Sequence, residues 1–272
     1  MSRVRAAVIG VGYLGRFHAQ KFASMDDVDL AAVMDIDPER AREVAREVGS
    51  RACASYDELP DDLDAVSIAV PTTAHAEVAI PFLERGVAVL LEKPISARLD
   101  EARAIIEAAS KGGAKLQIGH LERFNPALLN LSDSIRNPMF IEAHRISPFK
   151  VRGTDVDVVL DIMIHDIDII LSLVPSSIKS MEAVGIPVLT SSVDIANARL
   201  RFESGCIANI TASRVSADTM RKIRVFQSNA YISIDFAKAA VDVYTLDENR
   251  QIGHNHLAMS ESDALASEIR SF

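Results

Sequence analysis

The apolar run VRAAVI, residues 4–9, passes directly into GVGYLG, which leaves the chain few ways to continue. A buried strand that ends in glycines at this spacing, before helix-forming residues over 14–25, is the opening of a strand–turn–helix unit that cradles a dinucleotide. Gly10 suits the tight turn, Gly12 lets the backbone approach a pyrophosphate, and Gly15 allows close packing of helix on strand. The pyrophosphate would sit on the helix N-terminus, beside Tyr13 and Leu14. Glycines that only turn the chain would show the same spacing, so context decides. Asp35 ends the next apolar run, LAAVMD, 20 residues after Gly15. A carboxylate there accepts hydrogen bonds from adenosine ribose hydroxyls, and the acidic IDPE that follows disfavours a 2′-phosphate. The expected cofactor is therefore NAD rather than NADP.

The alternation continues. A helix is expected over 37–49, with Asp37 as cap, Pro38 at its first position and Gly49 closing it. Strands over 63–70, 87–93 and 114–119 then alternate with helices over 74–85 and 97–111. Strands apolar on both faces and separated by helices predict a doubly wound parallel sheet. After residue 120 the character changes: FIEAHRIS, SMEAVGIP, VDIANARLRF, CIANITASR, KIRVFQS, YISIDF and AVDVYTL are strand-like runs joined mostly by short turns. The expected architecture is an α/β dinucleotide-binding domain over 1–120. An α+β domain with an open, mostly antiparallel sheet follows over 121–272. The outer face of that sheet, read from VDIANARLRF and CIANITAS, is expected to be apolar enough to need a cover, which predicts a homo-oligomer.

The net charge of −9 argues against a general binder of nucleic acid or anionic membrane, since phosphate contact needs a basic face. No stretch approaches the roughly 18 apolar residues of a membrane span. Cys53 and Cys206 are far apart and fit no metal spacing, so a reducing cytoplasm is expected.

Three further stretches carry chemistry. PTTAH, 71–75, leaves a strand at the edge where such sheets bind ligands, so Thr72 and His75 are candidates to line the cofactor. His75 reads equally as a helix-start residue facing solvent. LLEKPIS, 90–96, ends an apolar strand in Glu92 and Lys93, either at the ligand edge or as an exposed terminus. The X-Pro bond at Pro94 fixes the turn and can be cis. LDIMIHDIDIIL, 160–171, aligns Asp161, His165 and Asp168 at i, i+4 and i+7 of an otherwise apolar helix. That row faces either a site or solvent.

Taken in order, GVGYLG, PTTAH, EKP, GHLERFNP and DIMIHDID resemble the Gfo/Idh/MocA family of nicotinamide-dependent oxidoreductases over residues 4–170. The resemblance implies a Rossmann domain, and it implies that Lys93, Asp161 and His165 stand at the nicotinamide and the substrate carbon. GHLERFNP with LDIMIHDIDIIL is similar to members that oxidise a sugar or sugar-nucleotide hydroxyl, such as the 3-hydroxyl of UDP-N-acetylglucosamine. Arg123, Asn125, Lys150 and Arg152 are then candidates to hold substrate, or else ordinary surface residues. Family members continue past the point matching ALASEIRSF with a further strand and a closing helix. Two other readings stand beside this one: a non-catalytic NAD(H)-sensing regulator of the same fold, and a metal enzyme using Asp161, His165 and Asp168. The second is disfavoured because no further histidine sits at ligand spacing, so no metal is expected.

Overall fold

The computed structural model describes residues 3–131, 134–149, 156–258 and 263–272. The chain forms two compact units, one from Met1–Leu121 with Leu265–Phe272 and one from Glu122–Ala264.

In the first unit, β1 (Val4–Ile9), β2 (Val28–Met34), β3 (Arg51–Cys53), β4 (Ala65–Ile68), β5 (Ala88–Glu92) and β6 (Leu116–Gly119) make a sheet in the order β3-β2-β1-β4-β5-β6. Every neighbouring pair is parallel. Its helices are α1 (Tyr13–Ala23), α2 (Pro38–Val48), α3 (His75–Glu84) and α4 (Leu99–Gly112). Ala7, Ile9, Met34, Ile68 and Leu91 join a core with Phe82, Leu83 and Ile105, on one side of the sheet. Ala6, Val8, Val33 and Leu90 join Phe22 and Val44 on the other. Burial on both faces is why these strands show no polar alternation. The carboxylate of Asp37 caps α2 by accepting from the amides of Glu39 and Arg40, and Gly49 closes it at a φ of +70°. The winding reverses between β1 and β4, and the carboxyl ends at such a switch point are where open α/β sheets bind ligands.

In the second unit, a short α5 (Pro126–Leu129) precedes β7 (Phe140–Ile146). A π-helical turn, Val159–Met163, then runs into α6 (Ile164–Leu173). Seven strands follow: β8 (Ile178–Ile186), β9 (Ile195–Phe202), β10 (Ile207–Ser213), β11 (Met220–Gln227), β12 (Ala230–Asp235), β13 (Ala240–Leu246) and β14 (Ile252–Ala258). The sheet order is β14-β13-β12-β11-β7-β10-β9-β8. β7 and β10 pair in parallel, and the other neighbours are antiparallel. Ile141, Ala198, Leu200, Ile210, Val225 and Ile234 share a core with Met163, Ile169 and Ile170.

This inner core corrects one expectation. The apolar members of IANARLRF and IANITAS, Ala196 to Phe202 and Ala208 to Ala212, point inward in alternation. The outer face of β9 and β10 instead carries Asn197, Arg199, Asn209 and Thr211. What is exposed lies elsewhere. All of β8 is open, with Met181 at 66 % and Val184 at 57 % exposure. A half-buried row of stacked rings also crosses five strands, from Phe140 through Phe226, Tyr231 and Tyr244 to His254, at centroid spacings of 5.6, 4.9, 5.5 and 4.3 Å.

The last helix, α7 (Ala264–Ser271), belongs to the first unit, although its sequence neighbours belong to the second. Ile269 joins the core of Phe22 and Leu90, with Leu265 and Phe272 packed against it. Among the described residues no helix is long and apolar enough to cross a membrane.

Candidate functional site

The glycine turn is built as its spacing predicts. Gly10 has a φ of +80°, and its amide donates to Met34 O at 2.8 Å. A Cβ on Gly15 would lie 1.8 Å from the carbonyl oxygen of Gly10, so only glycine lets α1 pack there. Gly12 differs: a Cβ on it would meet nothing within 4 Å. Packing within the chain therefore does not require glycine at that position, whereas a ligand backbone lying against it would. The first turn of α1 carries no acidic residue and no side-chain cap, so its amides keep their partial positive charge for an anion. Tyr13 and Leu14 stand exposed on that turn.

Asp35, buried at the end of β2, ties the turn to the second strand. One carboxylate oxygen accepts from the Val11 amide at 2.9 Å, and the other from the Asp37 amide at 2.9 Å and from Arg40 Nη1 at 3.2 Å. Open space at Gly12, a bare helix terminus and a fixed acid beside them fit a dinucleotide.

Thr72 is buried at the start of a single 3₁₀ turn, Thr72–Ala74, that leads into α3. His75 is neither exposed nor turned toward open space. The residue is 1 % exposed, with Nδ1 2.9 Å from Pro94 O and Nε2 3.1 Å from Val70 O; both are acceptors, so a neutral ring, with a single N–H, donates to one of them. Burial pushes this imidazole toward its neutral form. Glu92 likewise turns inward: Oε1 meets His18 Nε2 at 3.0 Å, and Oε2 accepts from the Lys93 amide at 3.2 Å. His18 Nδ1 in turn meets Ser67 Oγ at 2.8 Å. The Lys93–Pro94 peptide is cis.

Sequence reasoning did not single out His18 and Ser67. The signals were available, since Ser67 is the polar residue inside the apolar run AVSIAV, and His18 sits on the helix stripe of Gly15, Ala19 and Phe22 that faces the sheet. Glu268 of α7 was also missed. It is 0 % exposed, neither of its carboxylate oxygens has a hydrogen-bond partner among the described residues, and burial next to Glu92 pushes its pKa up to about 8.

In the second unit, the charged row is sorted by arginines. Asp168 is held by Arg123 through two bonds of 2.7 and 2.6 Å. Asp166, almost fully buried, takes Arg145 Nε at 3.0 Å and Nη2 at 2.8 Å, while Arg145 Nη1 reaches Glu122 at 2.8 Å. Burial raises the Asp166 carboxyl against the pull of Arg145. Asp161 and His165 are left half-buried on the π-helical turn and the first turn of α6. Asp161 lies on the π turn, and His165 and Asp168 follow it on α6.

The start of this helical segment is pinned. Asp157 caps it by accepting from the amides of Val159 and Leu160 at 2.9 and 3.0 Å, and the Val158 amide donates to Val193 O at 2.9 Å. Arg214 donates to Val156 O at 2.9 Å and to buried Asp194 at 2.8 Å.

The polar groups of Arg123 and Asn125 are engaged locally, Arg123 with Asp168 and Asn125 as the cap that accepts from the Ala127 amide at 3.0 Å. Lys150 and Arg152 lie outside the described residues. Among the described residues no three His, Cys, Asp or Glu side chains are grouped to hold a metal ion.

Residues 4–120 match the oxidoreductase family with an NAD-binding Rossmann fold, and 142–233 match the GFO/IDH/MocA C-terminal domain. The UDP-N-acetylglucosamine 3-dehydrogenase of Acidithiobacillus ferrooxidans is 40 % identical over 100 % of this chain and 88 % of its own length. Its solved structure superposes with a TM-score of 0.92 over 99 % of this chain and 88 % of that one. The scyllo-inositol 2-dehydrogenase (NAD(+)) of Bacillus subtilis is 31 % identical over 79 % of this chain and 68 % of its own length. Levoglucosan dehydrogenase in complex with NADH and L-sorbose, at 18 % identity and a TM-score of 0.88 over 99 % of this chain and 88 % of its own, shares the fold. With a relative this similar over the whole of this chain, and with both family models matching, the chain belongs to the Gfo/Idh/MocA family of NAD-binding oxidoreductases.

Proposed function

We propose that the enzyme transfers hydride between NAD and a secondary hydroxyl of a sugar nucleotide, the 3-hydroxyl of UDP-N-acetylglucosamine being the best-supported substrate. The observation that carries this reading is the full-length identity of 40 % with a dehydrogenase of that name. The first unit holds the dinucleotide, with Gly10, Gly12, Tyr13, Leu14 and Gly15 along the pyrophosphate, Asp35 at the adenosine ribose and Thr72 at the sheet edge. The second unit supplies the substrate side. Bound nicotinamide provides the hydride acceptor. His165 removes the hydroxyl proton, with Asp161 nearby in sequence to favour the protonated ring. Lys93 hydrogen-bonds the same oxygen and stabilises the charge that develops there. The arginine pairs on Asp166 and Asp168 fix the helix that carries His165.

The test is NADH formation with NAD⁺ and a panel of UDP-N-acetylglucosamine, free N-acetylglucosamine and inositols. UDP-N-acetylglucosamine is expected to exceed the others by about tenfold or more in kcat/KM, the scale set by whole polar groups of a substrate. A preference for an inositol overturns the substrate assignment.

We also infer a homo-oligomer, a dimer or tetramer. The support is the open strand β8, with Met181, Val184 and Ile186 exposed, the exposed Val188 and Leu189 just after it, and the half-buried ring row on the same sheet. Light scattering at micromolar concentration is expected to give a multiple of the 29.6 kDa chain mass, and a monomer overturns the inference.

A further inference from the structure

We propose that His18 and His75 are positioning residues that hold the Glu92–Lys93–Pro94 turn from its two ends. The inference rests on the reading of Lys93 as the group that polarises the substrate oxygen. A lysine ammonium sits on a flexible four-carbon stem, so the region its charge can reach is set by where its backbone is held.

Lys93 lies between two fixed points. On one side, His18 of α1 grips the Glu92 carboxylate at 3.0 Å, and the other oxygen of that carboxylate takes the Lys93 amide at 3.2 Å. On the other side, with its proton on Nδ1, His75 of α3 donates to the Pro94 carbonyl at 2.9 Å. Both rings are 1 % exposed, where an imidazole is costly unless it is hydrogen-bonded and where an apolar side chain would fill the same space. The bonding pattern is therefore the reason for the residue type. With its proton on Nε2, His18 donates to the carboxylate and accepts from the Ser67 hydroxyl at 2.8 Å, so each member of that line is satisfied. α1 is also the helix that begins at the glycine turn. One line of hydrogen bonds thus joins the helix assigned to the pyrophosphate to the backbone of the lysine assigned to the chemistry.

The two nitrogens of each ring can be separated by substitution, because an asparagine amide reaches about as far as Nδ1 and a glutamine amide about as far as Nε2. At position 18 glutamine keeps the contact with Glu92 and asparagine keeps only the contact with Ser67. At position 75 the order is reversed: asparagine keeps the Pro94 contact and glutamine keeps only Val70. The readouts are hydrogen exchange of the Lys93 amide in the cofactor-free protein, kcat and NADH Kd in the holoenzyme, and Tm. His18→Asn is expected to exchange faster and turn over more slowly than His18→Gln. His75→Gln should differ from His75→Asn in the same sense, each contrast being about tenfold, the scale of a small misplacement of a reacting group. NADH Kd should be alike within each pair. A structural role alone would move Tm without this exchange of order between the two positions.

Equal exchange and equal kcat for asparagine and glutamine at both positions overturn the proposal. Lys93→Ala, measured alongside, separates the two levels. If it keeps wild-type kcat, the role of Lys93 falls and positioning falls with it. If it is inactive and the amides show no order, only positioning falls. Should a histidine variant not fold, Glu92→Asp, which draws the carboxylate back from His18 by one methylene, is read instead. The same tenfold loss supports positioning, and wild-type kcat with wild-type exchange overturns it.

Discussion

Lys93→Ala and His165→Ala are each expected to lower kcat by about 10²-fold or more, the scale of general acid–base catalysis. NADH affinity should change little in both, because the glycine turn and Asp35 are assigned most of that binding. The contrast with a merely solvated helix face is sharp: substitutions there leave turnover intact and cost less than about 0.5 kcal/mol of stability. The arrangement around His165 makes the test specific. Asp166 and Asp168 are already paired with Arg145 and Arg123, so a loss at His165 cannot be ascribed to breaking either ion pair. A non-catalytic sensor would bind NADH and show no turnover even in the wild type, against the dehydrogenase names of its relatives. Unchanged kcat in His165→Ala, measured with Lys93→Ala on the same preparation, ends the catalytic assignment of this helix.

Glu268→Gln is expected to stabilise the protein above neutral pH and to leave it unchanged near pH 4. The Glu268 carboxyl titrates from its ordinary value of 4.5 up to about 8 in the folded state, because burial and the nearby Glu92 disfavour its charge. Between those values the folded protein holds a proton that the unfolded chain has released. Stability therefore falls as pH rises from about 4.5 to about 8, and then levels off. The full cost is up to roughly 5 kcal/mol, an upper limit because the folded state relaxes around a buried charge. Glutamine cannot ionise, and among the described residues neither glutamate oxygen accepts a bond that would be lost. Urea melts of both proteins across pH 4 to 9 should diverge with rising pH, and parallel curves would refute the assignment.

Much of the first unit was legible because its signals are local. The Asp37 cap and Gly49 act within one turn of their own positions, GVGYLG and Asp35 stand at a recognisable spacing, and apolar strands between helices allow few topologies. Part of the second unit was legible too. In IANARLRF the polar Asn197, Arg199 and Arg201 alternate with Ala196, Ala198 and Leu200, so the sequence itself contained the outward face, which composition alone obscured. β14 escaped notice because GHNH reads as a turn, and its place depends on pairing with β13.

What could not be read locally was the partner of each buried polar group. His18, Ser67, Glu92 and Glu268 come from α1, β4, β5 and α7, and only the fold brings them together. The π turn is hidden for a related reason: Asp161 and His165 sit four apart, as they would in an ordinary helix, and a change in winding leaves no mark on that spacing.

The return of α7 to the first unit bears on how the molecule is made. In a chain synthesised from its N-terminus, the sheet of the first unit leaves the ribosome long before the helix that completes it. Leu90 and Phe22 then wait without Ile269 until the whole second unit has been translated. The second unit is thus an insertion within the first in order of synthesis, and the nascent chain carries an unfinished apolar face through more than half of its translation.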